Sequence, residues 1–271
     1  MDQTRTLEDF FASIPRLGLA FSGGVDSAYL LYAAVEYYKK TAGNQAAQEK
    51  DEAGETGVTA YYVKSSFQPE FEYKDAQHMA ASLGGSLRVL ELDVLSCPEV
   101  RSNPADRCYY CKKEIFRHIL EAAAADGCTV VADGTNASDD ITDRPGMKAL
   151  QELGVRSPLR ECGLDKAQIR SLSERAGLFT WKKPAYACLA TRIPTGQEIT
   201  EQMLETTERA EAFLFELGLE NFRVRMMDGC ARIQLPESQL AAFMEHRETI
   251  HRELGQYYRA VLLDLEVRDE Q

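Results

Sequence analysis

The chain predicts an α/β protein: a doubly wound, Rossmann-like parallel sheet followed by a smaller C-terminal α+β domain. Three observations carry that expectation. Short apolar runs alternate with amphipathic helical patterns over the first two thirds of the sequence. The first of these runs breaks at a glycine pair that opens a helix. Near Ile193-Pro194-Thr195-Gly196 the alternation stops, and two strand-like runs joined by Asp228-Gly229 follow. The expected domains are residues 1–195 and 196–271.

In chain order, Leu17 to Phe21 reads as a buried strand and Val25 to Lys40 as a helix with Leu30, Leu31, Ala34 and Val35 inward. Thr41 to Gly57, rich in Gly, Gln, Glu and Ala, has no apolar period and reads as a solvated, mobile loop. Val58 to Val63 is a second strand, Gln68 to Leu83 a helix and Leu87 to Leu92 a third strand. Lys113 to Ala125 is a helix, Thr129 to Ala132 a fourth strand ending in Asp133-Gly134-Thr135-Asn136, and Lys166 to Ala176 a helix. Beyond the break come a helix (Glu201 to Leu217), two strands (Phe222 to Met227, Ala231 to Leu235), a helix (Leu240 to Leu254) and a closing strand (Tyr258 to Leu263).

The 271 residues, 44% hydrophobic and 27% charged, are ordinary for a folded protein. A net charge of −12 argues against a broad nucleic-acid surface. No apolar run approaches membrane-spanning length, and the acidic start (Asp2, Glu8, Asp9) does not read as a secretory signal. A cytoplasmic protein with neither membrane nor nucleic-acid partner is the expectation. Seven cysteines without an export signal argue for ligand or catalytic roles before disulfides.

Ligands in doubly wound sheets sit beyond the carboxyl ends of the strands. That places Ser22 to Ser27, Ser65 and Gly134 on one rim. In Ser22-Gly23-Gly24-Val25-Asp26-Ser27 the glycines let backbone amides point inward, and the helix adds its own N-terminal amides and dipole. Ser22 and Ser27 can donate hydroxyls, and Asp26 can share a magnesium ion with phosphates; Asp140 or Asp139 is a second, weaker candidate. Plain solvated residues or caps are the competing reading for Asp139 and Asp140. No Gly-Lys-Ser/Thr follows, so this is not a Walker A loop. The hexapeptide resembles the PP-loop of the ATP pyrophosphatases, which hold ATP by its β and γ phosphates and release AMP and pyrophosphate.

Cys108-Tyr109-Tyr110-Cys111 precedes a predicted helix, and Cys188 lies in Pro184-Ala185-Tyr186-Ala187-Cys188. A Cys-x-x-Cys pair can hold zinc or an iron–sulfur cluster, form a redox disulfide, or do nothing. No second pair follows at zinc-ribbon spacing. Cys97, Cys128, Cys162 and Cys230 stand singly and read as buried small hydrophobes.

Taken together, Ser22 to Ser27, Asn103 to Lys112, Asp143-Arg144-Pro145-Gly146, Cys188 to Gly196, Phe222 to Arg225 and Ala231 to Ile233 resemble the LarE family of ATP-dependent sulfur transferases. The resemblance spans nearly the whole chain. It implies thiolation of the carboxylates of pyridinium-3,5-biscarboxylic acid mononucleotide during synthesis of a nickel-pincer nucleotide. One type in that family sacrifices the sulfur of the cysteine matching Cys188. In the other, three cysteines hold a 4Fe–4S cluster with an open iron. Cysteines at 108, 111 and 188 favour the second type here. The resemblance further implies ATP and magnesium, a small-molecule nucleotide substrate, a sulfide donor and a homo-oligomer, a hexamer in relatives.

Transfer of AMP onto a carboxylate creates a leaving group that sulfur can displace. The phosphate loop would neutralise the departing pyrophosphate. Arg107, Lys112 and Arg192 lie near the cysteines in sequence and could steady charge on sulfur; Lys112 matches a family active-site lysine, with an exposed helix-start lysine as the plain alternative. Arg223 and Arg225, two apart on a strand, face one side and suit a phosphate, with a solvated strand face as the competing reading. By resemblance they would take the substrate's phosphate with Glu211 nearby. Trp181 reads as core or lid packing. The rivals are a tRNA thiolase, disfavoured by charge; an amide-forming enzyme of the NAD synthetase kind, which has no use for the cysteines; and a nucleotide or metal sensor without turnover.

Overall fold

The computed structural model describes residues 6–44, 57–139 and 145–269. The chain forms two compact units. One comprises residues 1–65, 70–92 and 106–185; the other comprises residues 66–69, 93–105 and 186–271.

The first unit opens with α1 (Leu7–Ala12), closed by a reciprocal capping box between Thr6 and Asp9 and anchored by buried Phe10 and Phe11. Strand β1 (Leu17–Ala20) leads into α2 (Val25–Asn44), then β2 (Val58–Lys64), α3 (Glu70–Leu83) and β3 (Ser86–Glu91). In the second unit α4 (Pro98–Arg101) is a single turn. Back in the first, α5 (Arg107–Ala125) precedes β4 (Val130–Ala132), followed by α6 (Pro145–Glu152), α7 (Pro158–Glu161) and α8 (Lys166–Arg175).

The four strands pair in parallel in the order β3-β2-β1-β4. The chain builds outward from β1 to β3, then returns to lay β4 on the other side of β1. Neighbouring strands β1 and β4 therefore diverge into opposite directions of winding at their carboxyl ends, the crevice where such sheets take ligands. Alternation along β2 shows why both faces need helices. Ala60 and Tyr62 join Leu30, Leu31 and Ala34 of α2 on one side. Tyr61 and Val63 join Phe116 and Ile119 of α5 and Leu150 of α6 on the other. Burying each large apolar side chain stabilises by about 1.5–3 kcal/mol. At Gly18, a Cβ would come 3.2 Å from that of Ala123, so the missing side chain lets α5 lie close on β1.

The second unit contains α9 (Glu201–Glu216), the hairpin β5 (Arg223–Met227) and β6 (Cys230–Gln234), the helices α10 (Leu240–Glu245) and α11 (Arg247–Leu254), and β7 (Val261–Leu263). Its sheet runs β5-β6-β7, antiparallel then parallel. Asp228 and Gly229 both have positive φ, the conformation a two-residue hairpin turn requires. Leu214, Val224, Ile233, Phe243, Ile250 and Leu254 form the core beneath it.

Several expected boundaries move. Helix α5 begins at Arg107 instead of Lys113, so Cys108 and Cys111 belong to the helix. Pro104 lies ahead of its first turn and leaves its amides untouched. The single helix expected over Leu240 to Leu254 is broken at His246, whose backbone ends one segment and caps the next. Helix α2 continues to Asn44, while the loop reading of residues 45–56 falls outside the described residues.

Candidate functional site

Beyond β1, the chain turns at Ser22-Gly23-Gly24 and enters α2. Gly23 has φ +74°, and a Cβ there would meet Cβ and Cα of Ala76 at 3.0 and 3.2 Å, so only glycine fits without displacement. Serine hydroxyls brace the turn. Ser27 Oγ donates to the Gly24 carbonyl at 3.1 Å, receives the Ser22 amide at 3.3 Å, and lies 3.1 Å from Ser22 Oγ. Ser22 is exposed and Ser27 buried. The first-turn amides of α2, at Val25, Asp26 and Ser27, have no intrahelical carbonyl to bond and sit at the positive end of a twenty-residue helix.

Gly134, just past β4, is pressed against this turn. A Cβ on it would lie 2.9 Å from the Ser27 amide nitrogen, so the loop after β4 lies close against the backbone of the first turn of α2. The loop holding Gly134 is fixed from within. Buried Asp133 accepts from the Thr135 hydroxyl at 2.5 Å and from the Ser157 hydroxyl at 2.6 Å. Asp139 accepts from the Asn136 amide at 3.0 Å within the same loop. Asp140 lies outside the described residues. Ser65 is half-buried directly after β2, the strand beside β1.

Asp26 has a partner that the sequence did not announce. Lys166 Nζ, at the first turn of α8, lies 2.5 Å from Asp26 Oδ2, while Asp26 Oδ1 is buried without a hydrogen-bond partner. The main chain at Lys166 is tied to the same rim, its amide donating to Ser138 Oγ at 3.0 Å. Asp26 Oδ1, buried and without a hydrogen-bond partner among the described residues, is a hard oxygen donor of the kind a divalent cation takes, while Lys166 holds the other oxygen.

On α5, Cys108 is exposed and Cys111 half-buried, three residues apart on one helical face. The guanidinium of buried Arg107 reaches 3.9 Å from Cys108 Sγ. Lys112 lies along α6: a Cβ on Gly146 would be 2.8 Å from its Cδ, and 3.5 Å from the Cys108 carbonyl. Among the described residues, no three or more His, Cys, Asp or Glu side chains gather as a ready metal site. Cys108 and Cys111, two thiols on one helical face, are soft donors of the kind that zinc or an iron–sulfur cluster takes. Of the single cysteines, Cys162 and Cys230 are buried as expected, but Cys97 and Cys128 are half-buried. Cys97 Sγ donates to Glu99 at 3.3 Å, and Cys128 lies 3.6 Å from the Tyr61 hydroxyl. Trp181 is half-buried beneath the Lys182 ammonium.

In the second unit, half-buried Cys188 precedes a 3-10 turn, Leu189–Arg192, that returns hydrogen bonds to its carbonyl from the Thr191 amide and hydroxyl. Arg192 is 1% exposed and grips Glu211 with two bonds, Nε to Oε1 at 2.8 Å and Nη2 to Oε2 at 3.2 Å. Glu211 also accepts from the Val224 amide at 3.0 Å and from the Tyr186 hydroxyl. Its oxygens are thus taken by groups of the protein itself. The Tyr186 ring is flanked by two guanidiniums, Arg192 at 4.8 Å and Arg223 at 5.1 Å. Register places Arg225 opposite Arg232. Arg225 donates to the Thr191 carbonyl at 3.0 Å. Burial, then the charges of Arg192 and Arg268, pull the Arg223 pKa down to about 10; burial with Arg192 and Arg232 lowers that of Arg225. Val224 between them is fully buried on the opposite face, so the two arginines share one side of the strand. Lys166 and Tyr186 escaped sequence reading because neither stands in a spacing pattern; only their neighbours in space give them a role.

No family model matches the sequence. Among curated proteins, the chain is 33% identical, over 261 residues covering 96% of it and 89% of the relative, to pyridinium-3,5-bisthiocarboxylic acid mononucleotide synthase of Lactiplantibacillus plantarum. The chain belongs to that family, the LarE family. Other relatives are the uncharacterized protein slr1717 of Synechocystis, 38% identical over 88% of this chain and 83% of the relative, and the uncharacterized protein MJ0830 of Methanocaldococcus jannaschii, 26% identical over 92% and 89%. No helix among the described residues of this LarE-family chain is long and apolar enough to cross a membrane.

Proposed function

We propose that this protein is an ATP-dependent sulfur insertase that converts the carboxylates of pyridinium-3,5-biscarboxylic acid mononucleotide into thiocarboxylates. The observation that carries the reading is the near full-length match to a relative named as synthase of the bisthiocarboxylic product. ATP would lie with its phosphates on the Ser22–Ser27 turn, between the ends of β1 and β4. There the α2 amides and the serine hydroxyls would hold the pyrophosphate as AMP passes to the substrate carboxylate. Asp26 would hold magnesium, which neutralises phosphate charge when bound. Arg223 and Arg225 would bind the nucleotide's phosphate, and Lys112 and Arg192 would steady the attacking sulfur.

Cys108, Cys111 and Cys188 would hold a 4Fe–4S cluster, which would supply the sulfide. Domains 1–195 and 196–271, a cytoplasmic address and homo-oligomeric assembly complete the reading. The test is anaerobic incubation with ATP, magnesium and the biscarboxylic mononucleotide, following AMP, pyrophosphate and product mass. Thiolated product with stoichiometric pyrophosphate is expected; ATP turnover without sulfur in the product would overturn it. Iron and labile-sulfide analysis of wild type beside Cys108→Ala decides the sulfur source. Absent iron with loss of hydrogen sulfide from Cys188 would assign the sulfur to that cysteine instead.

A further inference from the structure

Strand register and chain tail together concentrate positive charge on one face of the second unit's sheet. Arg223 and Arg225 of β5 share that face with Arg232, directly opposite Arg225. Like charges set across a ladder repel, and the arrangement persists only where something answers them. Arg232 is answered within the protein by Asp264 at 2.6 Å, as Arg192 is by Glu211. Among the described residues neither Arg225 nor Arg268 is ion-paired with a carboxylate; both donate to uncharged oxygens.

Arg268 reaches this region through a strap. After β7 the chain continues beside β6, with the Asp264 amide on the Ile233 carbonyl, and the Arg268 amide on the Leu235 carbonyl at 3.1 Å. Its main chain forms a parallel bridge with Pro236. Its side chain is then clamped by Asn221: Nε donates to the Asn221 carbonyl at 2.8 Å and Nη2 to Oδ1 at 3.3 Å, while the Asn221 carboxamide donates to the Asp269 carbonyl at 2.9 Å. Asn221 takes φ +49°, a conformation asparagine tolerates better than most residues. The clamp stands two residues before Arg223 and leaves Nη1 of Arg268 without a hydrogen bond among the described residues. Burial and the charges of Arg225 and Arg192 lower the Arg268 pKa, outweighing the opposite pull of Glu211 and Asp269.

We propose that Arg268 is the third guanidinium of the phosphate site begun by Arg223 and Arg225, held in position by Asn221, and that its ligand is the phosphomonoester of the nucleotide substrate. The assignment rests on the phosphate reading of Arg223 and Arg225 given above. Calorimetric titration of the full-length protein with nicotinic acid mononucleotide, and with the nucleoside lacking its phosphate, tests it. Arg268→Gln is expected to weaken the mononucleotide about 10-fold without changing nucleoside binding. Asn221→Gly, which suits the positive φ and keeps Arg268 charged, is expected to weaken it about threefold; it decides the matter if Arg268→Gln does not fold, since unchanged affinity would then overturn the assignment. Loss of affinity in Arg223→Gln but not in Arg268→Gln overturns the role of Arg268 and leaves the phosphate reading standing. Unchanged affinity in both removes the two together.

Discussion

Arg192 holds Glu211 through two hydrogen bonds, at 2.8 and 3.2 Å, in a part of the second unit where both side chains are almost wholly buried. Desolvating such a pair is costly, and it is kept only with every remaining lone pair satisfied, here by Tyr186 and the Val224 amide. Removing one partner strands the other. Glu211→Ala is expected to cost about 3–5 kcal/mol of stability, read by urea denaturation. A loss under about 1 kcal/mol would mean the pair contributes little to the fold.

The Lys166–Asp26 contact makes a second, functional prediction. Asp26→Asn and Lys166→Met should each lower kcat/KM for ATP by about 10- to 100-fold, as expected for a charged hydrogen-bonding partner, with melting temperature little changed. Pyrophosphate release against ATP concentration measures it. Unaltered kinetics in Lys166→Met would confine that lysine to a structural role.

Gly134→Ala probes the same place by size alone. The added methyl would enter at 2.9 Å from the Ser27 nitrogen, against backbone that has no rotamer to change. Overpacking of this kind costs about 1–3 kcal/mol and would push the turn away from β4. A raised KM for ATP is expected, with the mononucleotide affinity of the second unit unaffected.

Acid sensitivity should track Asp126. Its pKa lies below the usual carboxylate range because the buried Tyr61 hydroxyl donates to it at 2.7 Å and Arg88 pairs with it. A depressed folded pKa stabilises the protein above the unfolded value, about 3.9, and that contribution is lost as pH falls through the folded one. Tyr61→Phe should therefore destabilise the protein near neutral pH more than at a pH low enough to protonate Asp126 in both states. Equal losses at both would separate Tyr61 from this linkage.

The sequence reveals most where chemistry is local. The run from Leu17 through Ser27 announces its strand, turn and helix because apolar period, glycine pair and serine spacing all act within eleven residues. Arg223 and Arg225 declare a shared face by strand alternation alone. Helix α5 was harder to delimit: Asp106-Arg107-Cys108-Tyr109-Tyr110 lacks both a capping side-chain bond and an apolar period at its start. Lys166, Tyr186 and Arg268 gain their roles only from partners 140, 25 and 47 residues away in sequence. No window along the chain brings those partners together.

The way the two units share the chain bears on its synthesis. The polypeptide passes between them at 65–66, 69–70, 92–93, 105–106 and 185–186. Asn103 and Arg101, made early, hydrogen-bond residues of the later stretch: the Asn103 carbonyl receives the Gly196 amide, and the Arg101 carbonyl that of Ile199, both at 2.8 Å. On the ribosome the 93–105 segment emerges long before its partners and must wait for them. Expression of residues 186–271 alone omits that segment, so a separately produced C-terminal fragment would lack a part of its own scaffold.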